Sequence, residues 1–207
     1  MTNGGDNGYY TTVADSVTTS FEVQGSEFLG HISPVQSVGE AEEFIEEVRS
    51  KYGDATHNVP AYRVRDDPLR EWCSDDGEPS GSAGEPALNV LSQNGVENVV
   101  VVVTRYYGGT NLGYGGLVRA YSKSVKDALD SVDLIKEKPH SRVEIEVDYG
   151  DKGDVEGILE SVGFDYCAEY TDTVVYDVSV PDENLDGFSE KLLNVTSGRA
   201  EIVTRVG

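Results

Sequence analysis

The sequence is poor in cysteine, in long apolar runs and in basic residues. Its two cysteines, Cys73 and Cys167, stand far apart and form no C-x-x-C pair. That excludes a disulfide framework and predicts a reducing compartment with no disulfide-linked partner. The longest apolar run is five valines, residues 99–103, far short of the roughly 20 residues that span a bilayer, so no membrane association is expected. Residues 1–6 are polar, with neither a charged n-region nor an apolar h-region, so the expected location is cytoplasmic. Basic residues number 16, seven of them lysine, against 38 acidic ones, for a net charge of −22. Such a surface repels itself in dilute buffer, but at about 1 M salt the Debye length is only about 3 Å and the repulsion is screened. The composition is that of a halophilic acidic protein. The charge is read as an adaptation to solvent and gives no clue to partners.

Chemical motifs are also scarce. No Gly-x-Ser-x-Gly elbow occurs, and neither cysteine has a catalytic context. His31, His57 and His140 are too scattered for a zinc site. No cofactor or metal is expected.

A length of 207 residues suits one or two domains. Residues 1–15, rich in Gly, Asn and Thr, read as a loose lead-in. Strands are predicted at 19–23 and 27–35, parted by Gly25-Ser26, then a helix at 40–51 whose Ala41, Phe44, Ile45 and Val48 form one apolar stripe. A strand at 56–64 precedes a turn-rich loop, 75–84. A short helix follows at 86–93, and the valine run in 99–104 predicts a buried central strand. The glycine loop 108–116 leads into a helix at 117–132. The domain boundary is placed at 133–140, giving domains 16–132 and 140–206. The second half alternates as strand 142–147, helix 151–161, strands 164–170 and 173–180, helix 182–193 and strand 200–206. That βαββαβ order is ferredoxin-like. The fold class is thus α+β in both domains.

Residues 98–126 contain Arg105, Arg119, Lys123 and Lys126 and no acid, while the other 178 residues carry a net −26. A buried strand and a glycine loop exclude some acids for structural reasons. At about 100° per residue, Arg119, Lys123 and Lys126 nevertheless fall on one helix face, opposite Leu117, Tyr121 and Val125. In a chain whose default surface residue is acidic, three outward bases suit an anionic ligand. The five glycines Gly108, Gly109, Gly113, Gly115 and Gly116 allow close backbone approach at a helix start, where N–H groups hold phosphate or carboxylate. Their spacing matches neither the dinucleotide fingerprint nor the P-loop. Loop 75–84 offers Asp75, Asp76, Glu78, Ser80 and Ser82. On chemistry alone it reads as a turn in an acid-rich chain, although paired carboxylates also suit Mg²⁺ or acid–base work.

Three blocks resemble the YigZ/IMPACT family. They are Ala55-Thr56-His57-Asn58 with Ala61-Tyr62-Arg63; Asp76-Gly77-Glu78-Pro79-Ser80-Gly81-Ser82-Ala83-Gly84 with Pro86; and Val103-Thr104-Arg105-Tyr106-Tyr107-Gly108-Gly109 with Leu112-Gly113 and Gly115-Gly116-Leu117-Val118-Arg119-Ala120-Tyr121. Departures are Ser82 where threonine is usual and Tyr107 where phenylalanine is common. The resemblance spans about residues 16–132, and the second half is similar to the ferredoxin-like domain of two-domain YigZ-type members. It implies an N-terminal domain like the second domain of a small-subunit ribosomal protein. It also implies a link to translation and an affinity for RNA or the ribosome. The motif residues His57, Arg63, Asp76, Glu78 and Ser80 carry no settled role.

The leading expectation is a translation-associated factor. In it Arg105, Arg119, Lys123 and Lys126 contact phosphates, Tyr106 and Tyr107 stack on bases, and Gly108 and Gly109 let the backbone approach. One alternative is an enzyme acting on a phosphorylated small molecule at the glycine loop, with Asp76 or Glu78 as base or Mg²⁺ ligand. That reading requires the carboxylates to share one concave pocket with the loop. Another alternative is a protein-docking module.

Overall fold

A computed structural model describes residues 8–65 and 68–206. The chain divides into two compact units, 1–137 and 138–207.

The first unit is built on an antiparallel five-stranded sheet of order β2-β3-β6-β4-β5. Its strands are β2 (Val17–Val23), β3 (Ser26–Pro34), β4 (His57–Val64), β5 (Arg70–Cys73) and β6 (Val99–Tyr106). Helix α1 (Val38–Lys51) covers one face, and α2 (Gly84–Gln93) and α3 (Tyr114–Asp130) cover the other. The valine run of β6 lies at the centre. Val99, Val101 and Val103 pack with Leu91, Tyr121 and Val125 under α2 and α3. Val100 and Val102 pack with Ala41, Ile45 and Val48 under α1. A strand buried on both faces needs apolar residues at every position, which is why the run is continuous rather than alternating. Each buried valine contributes about 1.5–3 kcal/mol of transfer free energy.

Local capping sets the helix starts. Ser37 Oγ accepts from the Glu40 amide, and Glu40 returns a carboxylate to the Gln36 amide at 2.8 Å, so α1 begins at Val38, two residues before the expected start. The start of α3 also moves. It begins at Tyr114, so Gly115 and Gly116 lie inside the helix and not in the loop.

The lead-in is not wholly loose. Residues 1–7 lie outside the described residues, but β1 (Tyr10–Val13) pairs antiparallel with β7 (Leu134–Glu137). Tyr10 and Val13 are buried, and Thr12 Oγ1 donates to the Asn98 carbonyl. The segments on either side of the expected first domain therefore close on each other.

The second unit runs β8 (His140–Val147), α4 (Lys152–Val162), β9 (Tyr166–Tyr170), β10 (Val174–Pro181), α5 (Leu185–Val195) and β11 (Glu201–Val206). All pairings are antiparallel, in the order β11-β8-β10-β9, which gives the ferredoxin-like split βαββαβ arrangement. Alternate residues Val143, Ile145, Val174, Tyr176 and Val178 meet Val155, Leu159, Phe188 and Leu192 of the two helices. Both cysteines are free thiols. Among the described residues no helix is long and apolar enough to cross a membrane.

Candidate functional site

The site is organised by Arg105, near the end of β6. Period-2 alternation puts Arg105 on the same face as Val99, Val101 and Val103, in register with Phe28 of β3 and His57 of β4. It therefore points into the layer beneath α3, and its exposure is 5%. The guanidinium donates to Glu78 Oε1 at 2.5 Å and more weakly to Ser26 Oγ at 3.4 Å. It lies 5.4 Å from the ring centroids of both Phe28 and Tyr107. Its Nε has no hydrogen-bond partner among the described residues. The expectation that Arg105 reaches outward to phosphate is corrected here, because the side chain is an internal counterion.

Glu78, 8% exposed, is the other half of that pair. The fully buried Tyr121 donates its hydroxyl to the same carboxylate oxygen at 2.8 Å, and burial pushes the Tyr121 phenol above its ordinary range. His57 Nε2 stands 3.9 Å from that oxygen. Its Nδ1 donates to the Asp76 carbonyl at 2.7 Å.

The acidic loop is held by its own carboxylates. Burial pushes the Asp75 carboxyl up, but the amides of Gly81, Gly84 and Ala83 outweigh it and hold the carboxyl below its ordinary range. Two of those amides lie at the start of α2, so a side chain nine residues upstream caps that helix. Asp76 Oδ2 accepts from the Asn58 amide at 2.6 Å, and Oδ1 lies 3.7 Å from Arg49. The three carboxylates thus serve a helix cap, a strand end and a buried ion pair. In the phosphate-enzyme alternative Asp76 and Glu78 serve as base or Mg²⁺ ligand; here Asp76 faces the Asn58 amide and Arg49, and Glu78 faces Arg105 and Tyr121. Ser80 is exposed on the loop. Arg63, at the far end of β4, ties Glu71 and the Val96 carbonyl and takes no part in the cluster.

The glycine loop has mainly packing reasons. A Cβ on Gly108 would fall 1.8 Å from the Gly25 carbonyl oxygen, and the Gly108 amide donates to Ser26 Oγ. Gly113 caps α3 at φ +68. Gly109 lies open to solvent. Tyr106 donates its hydroxyl to Asp54, whereas Tyr107 is 45% exposed over Arg105.

What faces outward is α3. Arg119, Lys123 and Lys126 are exposed. Lys123 pairs with Asp127 and lies 4.6 Å over the Phe21 ring. Among the described residues Arg119 and Lys126 have no ion-pair partner. The first turn of the helix carries no acid and no side-chain cap, which leaves the amides of residues 114–116 without intrahelical acceptors. The arrangement combines a positive helix end with two unneutralised bases, in a chain of net charge −22.

Two α+β units, the second of them ferredoxin-like, with the ordered motif blocks meeting around Arg105, define the class. Residues 24–129 match the Impact N-terminal domain, and residues 145–199 match a domain of unknown function, DUF1949. The chain is 34% identical to the IMPACT family member YvyE of Bacillus subtilis, over 93% of this chain and 89% of that protein. It is 33% identical to the IMPACT family member YigZ of Escherichia coli, over 92% and 95%. The crystal structure of a hypothetical protein superposes with a TM-score of 0.71 at 32% identity, covering 94% of this chain and 96% of that one. The chain belongs to the IMPACT family.

Proposed function

We propose that this IMPACT family chain is a cytoplasmic, translation-associated factor that binds RNA or the ribosome through the outward face of α3. The observation that supports it is the pair Arg119 and Lys126, exposed and unneutralised beside an uncapped helix start. In an acid-rich chain, an outward base with no ion-pair partner among the described residues is a departure that solubility does not require. The family's link to translation agrees with an anionic partner of this kind. Arg105 acts only from within, by holding the loop that frames the helix.

At high salt counterion release adds little. Affinity then rests on bidentate arginine contacts, helix-end amides and stacking on the exposed Tyr107. The test is co-sedimentation with ribosomes and with total RNA, from low to molar salt, for Arg119→Ala/Lys126→Ala. Pelleting is expected to fall to background, and the slope of log K against log salt to shrink by about 0.7 per lost phosphate contact on single strands. A double variant that pellets like the native chain refutes this assignment.

A further inference from the structure

We propose that the free edge of β2, with the groove between it and α3, docks an extended acidic segment of a partner protein, which joins the N-terminal sheet as an added strand. The proposal goes beyond the α3 reading and shares Arg119 with it. Relative to Arg119, Lys123 and Ala120 turn about 40° and 100° one way, toward β2, while Lys126 turns about 20° the other way.

The sheet's two edges differ. β5 is four residues long and carries Arg70 and Glu71, the short and charged kind of edge that resists pairing. β2 is seven residues long, with no proline and one charge, Glu22. Among the described residues its backbone hydrogen-bonds to β3 and to no other element. Such an edge is a template for another strand.

A cleft of ≈ 280 Å³ runs beside it, lined by Phe21, Val23, Leu112 and Ala120, with two bases, Arg119 and Lys123, against one acid, Glu22. Phe21 and Val23 stand two residues apart on one face, the period at which a paired strand presents its own alternate side chains. The apolar floor would take those side chains, Arg119 would take a carboxylate between them, and Lys123 would exchange Asp127 for another. At molar salt only contacts within about 3 Å of a charge escape screening, so the rim decides the sign of the partner and the chain's net charge does not. A nucleobase fits less well. Phe28 stacks on one face of Phe21 at 5.3 Å, and Lys123 covers its ring at 4.6 Å, so no free aromatic face is offered. An unpaired strand edge also complements a polypeptide backbone and not a phosphodiester.

The probe is a fluorescein-labelled peptide alternating glutamate with valine. It is compared in molar KCl with its lysine-for-glutamate counterpart, a proline-interrupted version and labelled oligouridylate. The acidic peptide is expected to bind and to slow amide exchange along β2, while the lysine and proline versions do not bind. Val23→Glu weakens binding at least about tenfold, and Val23→Lys, equally disruptive to the fold, does not. The proposal is overturned if the acidic peptide fails to bind or binds no better than its lysine counterpart. It is overturned equally if β2 exchange is unchanged, if Val23→Lys weakens binding as much as Val23→Glu, or if oligouridylate slows exchange along β2 as the peptide does. Val23 lies outside the Arg119–Lys126 face. The Val23→Glu chain therefore still pellets with ribosomes if the α3 reading holds, and the two readings fail separately.

Discussion

Replacing Glu78 by alanine tests whether the motif loop is held by a buried ion pair. In the native chain the carboxylate accepts from Arg105 at 2.5 Å and from Tyr121 at 2.8 Å, with both donors buried. Removing it strands a guanidinium whose remaining hydrogen bond is to Ser26 at 3.4 Å and whose Nε is already unpartnered. Breaking a buried pair from one side costs about 3–5 kcal/mol. The orphaned Tyr121 hydroxyl adds about 1 kcal/mol or more. Domain stabilities are of order 5–15 kcal/mol, so the first unit becomes marginal. Trp72, the chain's single tryptophan, lies on β5 and stacks on Tyr62 at 5.5 Å. Its fluorescence during urea titration therefore reports the first unit. Glu78→Leu combined with Arg105→Met removes both charges and should recover most of the loss, with a coupling energy above about 2 kcal/mol. A Glu78→Ala chain within about 1 kcal/mol of native would refute the reasoning, as would a double variant as unstable as the sum of the singles. The same logic predicts that Arg105→Ala abolishes RNA binding only where it unfolds the domain.

Two further outcomes follow from the geometry. Burial, with Lys51 nearby, lowers the buried His31 from 6.5 to about 4, and its ring nitrogens meet the Thr18 and Thr104 hydroxyls. The unfolded chain takes a proton near 6.5 and the folded chain refuses it until about 4. This contribution is thus complete above pH 6.5 and lost as pH falls toward 4. The stability difference between native and His31→Gln chains should shrink by about 3 kcal/mol over that window, and a pH-independent difference in urea titrations would contradict it. Gly108→Ala forces a Cβ against the Gly25 carbonyl and should cost at least about 2 kcal/mol, whereas Gly115→Ala on α3, whose Cβ would meet the Arg119 guanidinium at an ordinary 3.5 Å, should raise stability by up to about 1 kcal/mol; equal effects on the urea midpoint would refute the packing account.

Most of the architecture was legible from periodicity. The valine run marked the central strand, and the alternation of the second half marked a ferredoxin-like unit. The strands that escaped were short or exposed: β1 and β7 have four residues each, and β5 is exposed along most of its length. Such segments carry too few apolar positions to show a period. The start of α3 escaped because glycines read as loop, although Gly116, inside the helix, packs against Leu112 of the preceding loop. The misplacement of Arg105 was avoidable. Counting by twos from Val99 lands on Arg105 and marks it as core-facing, and charge alone hid that signal. Its partner Glu78 lies 27 residues away in a loop without a period, so no local pattern could pair them. Cross-chain pairing is a property of the fold, and the demotion of the acidic loop to a simple turn missed it.

The central claim, that α3 presents an RNA- or ribosome-binding face, is tested most directly by ultraviolet crosslinking in cells at their own salt concentration, with crosslinked peptides sequenced. The account predicts RNA adducts within residues 107–126, lost in Arg119→Ala/Lys126→Ala. Adducts confined to the second unit, or undiminished in that variant, would contradict it.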